Sequence, residues 1–365
     1  MQLQPRQQAI LAAAIERYVE TAEPVGSAAL AIDARFVARV GVVSSATVRN
    51  ELAELEALGL LAHPHTSAGR VPTDAGYRVY VNEMLRPRPI KATERRQIEA
   101  QVPAPASSME DALRDACAIL ARLTGYPAVA TLPRAGRDTL RHLQINALPP
   151  RRLILVLVTA SGRVENRIFE VEDNVAADRL ATVVNFLNAE LSGRSLSTLR
   201  GLKFEEISAG LHGEDAIALA RRAFEWAQQS ASDLGDERII VQGLVTLLDE
   251  PEFSDIAQAR AAMRLFEDDA AMNDLLRAPL ENEKYAQIRG ENAPYAIVIG
   301  HEHGFDHASA SGAAAARFSL VGIAYGAGDE IYGTVGVMGP TRMKYADAIA
   351  LVPVLAARLG ASLEI

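Results

Sequence analysis

The chain has 365 residues, 49% apolar and 23% charged, with a formal net charge of −9, which suits a globular protein of two or three domains and excludes a disordered or fibrous chain. One cysteine, Cys117, excludes an internal disulfide and a cysteine-based zinc site. The most apolar run, LILVLVTA at 153–160, is too short to cross a bilayer, and MQLQPRQQAI lacks the apolar stretch of a signal peptide, so a cytoplasmic protein without a membrane partner is expected.

Charge is unevenly spread. Residues 1–90 hold nine arginines against nine acids, so the remaining 275 residues carry the whole −9. A locally basic stretch on an acidic body is compatible with nucleic acid but does not establish it.

The first helix is predicted from Pro5, with Ile10/Leu11, Ala14/Ile15 and Tyr18/Val19 on one face. PVGS at 24–27 breaks it, and Ser27 is expected to cap a second helix over AALAIDARFVA. After Gly41, Ser44 is the expected N-cap of a third helix running to about Leu58, stopped at Gly59. LLAH and RVPT then predict two short strands around the turn PHTSAG, and TDAGYRVYVNEML predicts a closing helix capped by Thr73 or Asp74. Three helices and a hairpin are the outline of a winged helix-turn-helix over residues 1–85.

Residues 86–107, rich in Pro, Arg and Ala, read as a linker around a short helix. Over 108–194, a helix through EDALRDACAILARLTG precedes two strands in RRLILVLVTASGRVENRIFEVE and another helix at 176–191. Leu153/Leu155/Leu157 and Ile154/Val156/Val158 make the first strand apolar on both faces, so a central place in a sheet covered on both sides is expected. Residues 195–285 read as almost wholly helical, and strand signals return over 286–365 in YAIVIGHE, FSLVGIAY and IYGTVGVMG. The expected fold is therefore α/β and multidomain: one α/β domain in two parts, with a helical insertion at 195–285.

The chemistry concentrates in the third helix. Val48, Leu52 and Leu55 form its inward stripe, while Ala46, Asn50, Ala53 and Ala57, flanked by Thr47 and Arg49, form the opposite face. Alanines permit close approach to a major groove about 12 Å wide; Asn there suits a bidentate contact to adenine, and Ala46 or the Thr47 methyl suits a thymine methyl. Ser44, Ser45 and the free N-terminal amides suit a phosphate. Glu51, Glu54 and Glu56 oppose this reading, because acids near phosphate repel. Arg70, beside Gly69 at the expected hairpin tip, favours it, since a guanidinium among small residues inserts into a minor groove at little steric cost. His65 and Ser67 in the same loop are further candidate contacts.

No Ser-His-Asp order or paired carboxylates point to catalysis, and no enzyme or cofactor is expected. HEHGFDH offers His301, His303, His307 and two acids, but its spacing matches neither H-E-x-x-H nor a finger pattern, so no metal site is expected. The glycines of GTVGVMGP lack the order of a nucleotide loop. Arg342 and Lys344 either contact another domain or subunit or sit on a solvated helix start; the sequence leaves both open.

The stretch PVGSAAL followed by SSATVRNELAELEALGLLAHPHTSAGRVPTDAGYRVYV resembles the N-terminal region of the HrcA family of heat-inducible transcription repressors, and GTVGVMGPTRMKYADAIALV is similar to that family's C-terminal signature. The resemblance implies a winged-helix domain, a GAF-like α/β domain and an inserted dimerising domain. It implies a homodimer on a double-stranded inverted-repeat operator upstream of chaperone operons, released on heat stress, with the GroEL–GroES chaperonin maintaining the active form. HEHG at 301–304 departs from the family, which more often has an asparagine after the glutamate. The competing reading is a regulator that senses a small-molecule effector through the GAF-like domain.

Overall fold

In a computed structural model, residues 3–64, 69–102, 109–132, 138–148, 150–160, 162–172, 174–233, 238–281, 295–306, 309–327 and 330–363 are described. They form a mixed α/β chain of helices and antiparallel sheets, divided into two compact units: one of residues 1–103, 114–130 and 239–364, the other of 104–113 and 131–238.

The first unit begins with α1 (Pro5–Thr21), α2 (Ser27–Ala31), α3 (Ala34–Val40) and α4 (Ser45–Ala57). The single second helix expected over AALAIDARFVA is two, because the Asp33 side chain accepts hydrogen bonds from the Arg35 and Phe36 amides and starts a new helix there. Ile10, Leu11, Ile15, Leu30, Phe36, Val48, Leu52 and Leu55 are fully buried between these helices. Strands β1 (Leu61–Ala62) and β2 (Val71–Pro72) pair antiparallel, Leu61 opposite Pro72 and Ala62 opposite Val71. α5 (Asp74–Val79) follows, capped by Thr73 and running on through a π turn at Tyr80–Met84. α6 (Ala92–Gln101) falls within the expected linker.

The rest of this unit is built on a five-stranded sheet. Its members are β3 (Ala128–Thr131), β7 (Ile239–Gln242), β8 (Tyr295–Ile299), β9 (Phe318–Ala327) and β10 (Glu330–Pro340), in the order β7-β3-β10-β9-β8. α12 (Ile256–Glu267), α13 (Asp269–Glu281) and α14 (Ala310–Ala315) share a core with Val298, Phe318, Leu320 and Met338 of the sheet. α15 (Tyr345–Leu363) is long and apolar enough to cross a membrane, but Ala348, Leu351, Val352, Leu355 and Leu359 are buried and the helix packs along β9. α7 (Met109–Thr124) carries the fully buried Cys117.

The second unit holds β4 (Leu140–Leu148), β5 (Arg152–Thr159) and β6 (Val164–Glu170) in an antiparallel sheet, with α8 (Ala177–Leu191), α9 (Leu196–Gly201), α10 (Phe204–Ile207) and α11 (Glu214–Asp233). The two units divide the chain at other places than the insertion expected at 195–285: residues 131–238 fall in one unit, and the described residues 239–281 group with the five-stranded sheet in the other. β5 is central, as expected, but in a sheet of its own. Leu153, Leu155 and Leu157 are buried against α8 and α11, whereas Ile154, Val156 and Val158 are only half-buried. Apolar residues on both faces therefore did not mean cover on both faces.

Candidate nucleic-acid interface

α4 presents two unlike faces. Inward, Val48, Leu52 and Leu55 are fully buried, as their spacing predicts. Outward, Ser45, Ala46, Arg49, Asn50, Ala53 and Ala57 are exposed and Thr47 is half-buried. Ser44 caps the helix, its Oγ accepting from the Thr47 amide at 3.1 Å, which leaves the amides of Ser45 and Ala46 at a solvent-facing N-terminus. The outer face is thus small, polar and cationic at one residue.

The acids that weighed against this helix are each held by a partner. Glu51 is buried and accepts from Arg6 of α1. Gln7 donates to Glu54 at 2.8 Å, and Arg70 donates to Glu56 at 2.9 Å. These contacts tie the carboxylates to α1 and the hairpin, although Glu54, one turn past Asn50, stays exposed.

The arginines sort the same way. Arg35 pairs with Glu20 at 2.6 Å, holding that carboxyl below its usual range by a direct hydrogen bond, and Arg39 pairs with Glu16 at 2.9 Å. Arg17 lies 3.9 Å from Asp33, Arg78 pairs with Glu302, and Arg88 joins Glu94 to Asp347. Of the nine arginines in residues 1–90, Arg49 and Arg86 alone have no carboxylate partner among the described residues. Arg49, placed on the outer face of α4 by its spacing, stands beside Asn50 as an uncompensated positive charge, which an equal count of acids and arginines does not reveal.

Arg70 is not at a tip. It stands at the base of the hairpin, its side chain 18% exposed and tied to Glu56, its backbone bridged to Val25 in both directions at 2.8 and 2.9 Å. Gly69 is required by that bridge, because a Cβ there would lie 2.5 Å from the Val25 carbonyl carbon. The small neighbour thus serves backbone approach. His63 is half-buried; His65 and Ser67 lie outside the described residues.

The histidine-rich segment is engaged elsewhere. His301 meets Asp74, Glu302 meets Arg78, and His303 Nε2 lies 3.0 Å from the Phe318 carbonyl, with burial pushing its imidazole down to about 4. Among the described residues no group of three His, Cys, Asp or Glu has a metal-holding geometry; His307 lies outside them. Arg342, left open by the sequence, is buried and donates to Glu252 at 2.6 Å and to the Val19 carbonyl of α1 at 3.2 Å, with Glu250 beside it. It contacts another part of the same unit. None of these pairings had a local sequence signal.

A family model described as the HrcA protein C-terminal domain matches residues 110–349. The chain is 37% identical over 379 residues to the heat-inducible transcription repressor HrcA of Acaryochloris marina (strain MBIC 11017), covering 100% of this chain and 98% of that one. It is 35% identical over 373 residues to the HrcA of Synechococcus elongatus, covering 98% and 97%. A crystal structure of a hypothetical protein shares the fold, with a TM-score of 0.62 at 22% identity over 99% of each chain. The chain belongs to the HrcA family of heat-inducible transcription repressors and is a regulator of transcription, not an enzyme.

Proposed function

We propose that the chain is a cytoplasmic homodimeric repressor that binds an inverted-repeat operator in double-stranded DNA upstream of chaperone operons of the GroE and DnaK type, and leaves it on heat stress. Residues 1–85 act as a winged helix-turn-helix. α4 enters the major groove with Asn50 on an adenine and Ala46 or Thr47 against a thymine methyl. Arg49, Ser44 and Ser45 meet phosphates, and the β1–β2 hairpin, with His65, Ser67 and Arg70, lies along the neighbouring backbone. The five-stranded part is GAF-like, and GroEL–GroES maintains the active form.

The observation that carries this reading is the outer face of α4: Arg49 without a carboxylate, beside Asn50, between exposed alanines. Dimerisation through the 131–238 unit is supported by its three-stranded sheet. On one face Val164 (57% exposed) and Ile168 (54%) of the edge strand β6 stand opposite Val158 and Ile154 of β5, an apolar surface suited to a second copy.

The test is a gel-shift titration of Asn50→Ala on the operator at fixed salt. Loss of a bidentate adenine contact costs about 1–3 kcal/mol per half-site, with the dimer intact by sedimentation. Unchanged affinity removes α4 as the reading helix.

A further inference from the structure

The turn after β8, Gly300–His303, grips the N-terminal segment of its own unit. Asp74, first residue of α5, accepts through Oδ2 from the His301 amide at 2.9 Å and meets the His301 ring Nδ1 at 2.7 Å. One turn along α5, Arg78 donates through Nε to Glu302 Oε1 at 2.8 Å and through Nη2 to the Ile297 carbonyl at 2.6 Å; Nη2 also contacts the second Glu302 oxygen. Glu302 is itself oriented by the Ile299 amide at 2.8 Å. Gly300 makes the approach possible: its φ is +51°, and a Cβ there would lie 2.3 Å from an Asp74 carboxylate oxygen. A second row of contacts runs alongside, Arg342 to the Val19 carbonyl and the Tyr77 ring against Tyr345, centroids 6.0 Å apart.

The Arg78 and Glu302 side chains are 17% and 25% exposed. The bridge is bidentate and largely out of water, so it sets geometry more firmly than an exposed pair, and truncating one partner strands the other's charge. None of these residues lies on α4, and none belongs to the outer face assigned to DNA.

We propose that the Arg78–Glu302 bridge, with Asp74–His301 beside it, fixes the orientation of the DNA-reading segment on the five-stranded part, making Asp74, Arg78, His301 and Glu302 positioning residues for operator binding. The proposal rests on the reading of α4 given above. A dimer gains affinity from its second head only if both heads are held at the separation of the half-sites. A rigid mount therefore selects one spacing. A loosened mount accepts several spacings and holds each less tightly.

The test uses the full-length protein in gel-shift titrations on inverted repeats with lengthened and shortened spacers, and on a duplex with one half-site. Arg78→Ala is expected to lose about tenfold or more at the preferred spacing, with half-site affinity within about twofold of wild type. Its preference among spacers flattens. Arg78→Glu combined with Glu302→Arg restores the preference. Gly300→Ala, which wedges the turn away from Asp74 without altering a charge, flattens it too. Should Arg78→Ala fail to fold by circular dichroism, Glu302→Gln, which keeps an acceptor for the Ile299 amide, decides instead. A folded variant with the wild-type spacer profile overturns the proposal. Failure of the underlying reading is seen separately, as Asn50→Ala binding both duplexes like wild type.

Discussion

Replacing Arg49 by alanine isolates the one α4 charge that has no partner among the described residues. The side chain is exposed and pairs with no carboxylate among the described residues, so its loss leaves no stranded acid and stability stays within about 0.5 kcal/mol of wild type. Binding responds differently. Each phosphate neutralised on B-DNA contributes about 0.9 to the slope of log K against log salt concentration, and a dimer presents Arg49 twice, so the slope should shrink by about 1.8. Arg39 is the control. It is nearby in sequence and of the same charge, but it is answered by Glu16 at 2.9 Å, so Arg39→Ala should leave the slope near wild type. Fluorescence anisotropy on a labelled operator from about 50 to 200 mM salt measures both. Equal losses for the two variants, or an unchanged slope for Arg49→Ala, would refute the idea that Arg49, and not the Glu16-paired Arg39, meets the phosphates.

Two predictions concern stability. Tyr77 is 2% exposed and its hydroxyl has no hydrogen-bond partner among the described residues, so Tyr77→Phe should be neutral or stabilising by about 1 kcal/mol, raising Tm by about 2–4 °C; a drop in Tm by differential scanning fluorimetry contradicts this. His303 is held neutral by burial, its pKa lowered from 6.5 to about 4. Between those values the unfolded chain binds more protons than the folded one, so this group's share of stability is present above 6.5 and is lost as pH falls toward 4. That share amounts to about 2 kcal/mol between pH 7 and pH 5. Urea melts should show His303→Gln losing less stability over that interval than wild type; identical pH dependence contradicts it.

Much of the candidate interface was legible because it is local. The buried stripe of α4 follows from 3.6-residue periodicity, its start from the Ser44 hydroxyl on the Thr47 amide, and its small outer face from Ala46, Ala53 and Ala57. The break at Asp33 was missed because AALAIDARFVA has no Gly or Pro to mark it, although the aspartate cap is itself a local signal.

Local residue order sets the elements whose hydrogen bonds close within a few residues, and the alternation that buries Leu153, Leu155 and Leu157. Tertiary structure alone decided which charges remain for a partner. Arg6 meets Glu51 across 45 residues and Arg78 meets Glu302 across 224, and no count of charges distinguishes a guanidinium consumed inside the fold from one left outside. It also decided that β5 belongs to a sheet of its own, because strand partners are chosen by pairing and packing at a distance rather than by the strand's own composition.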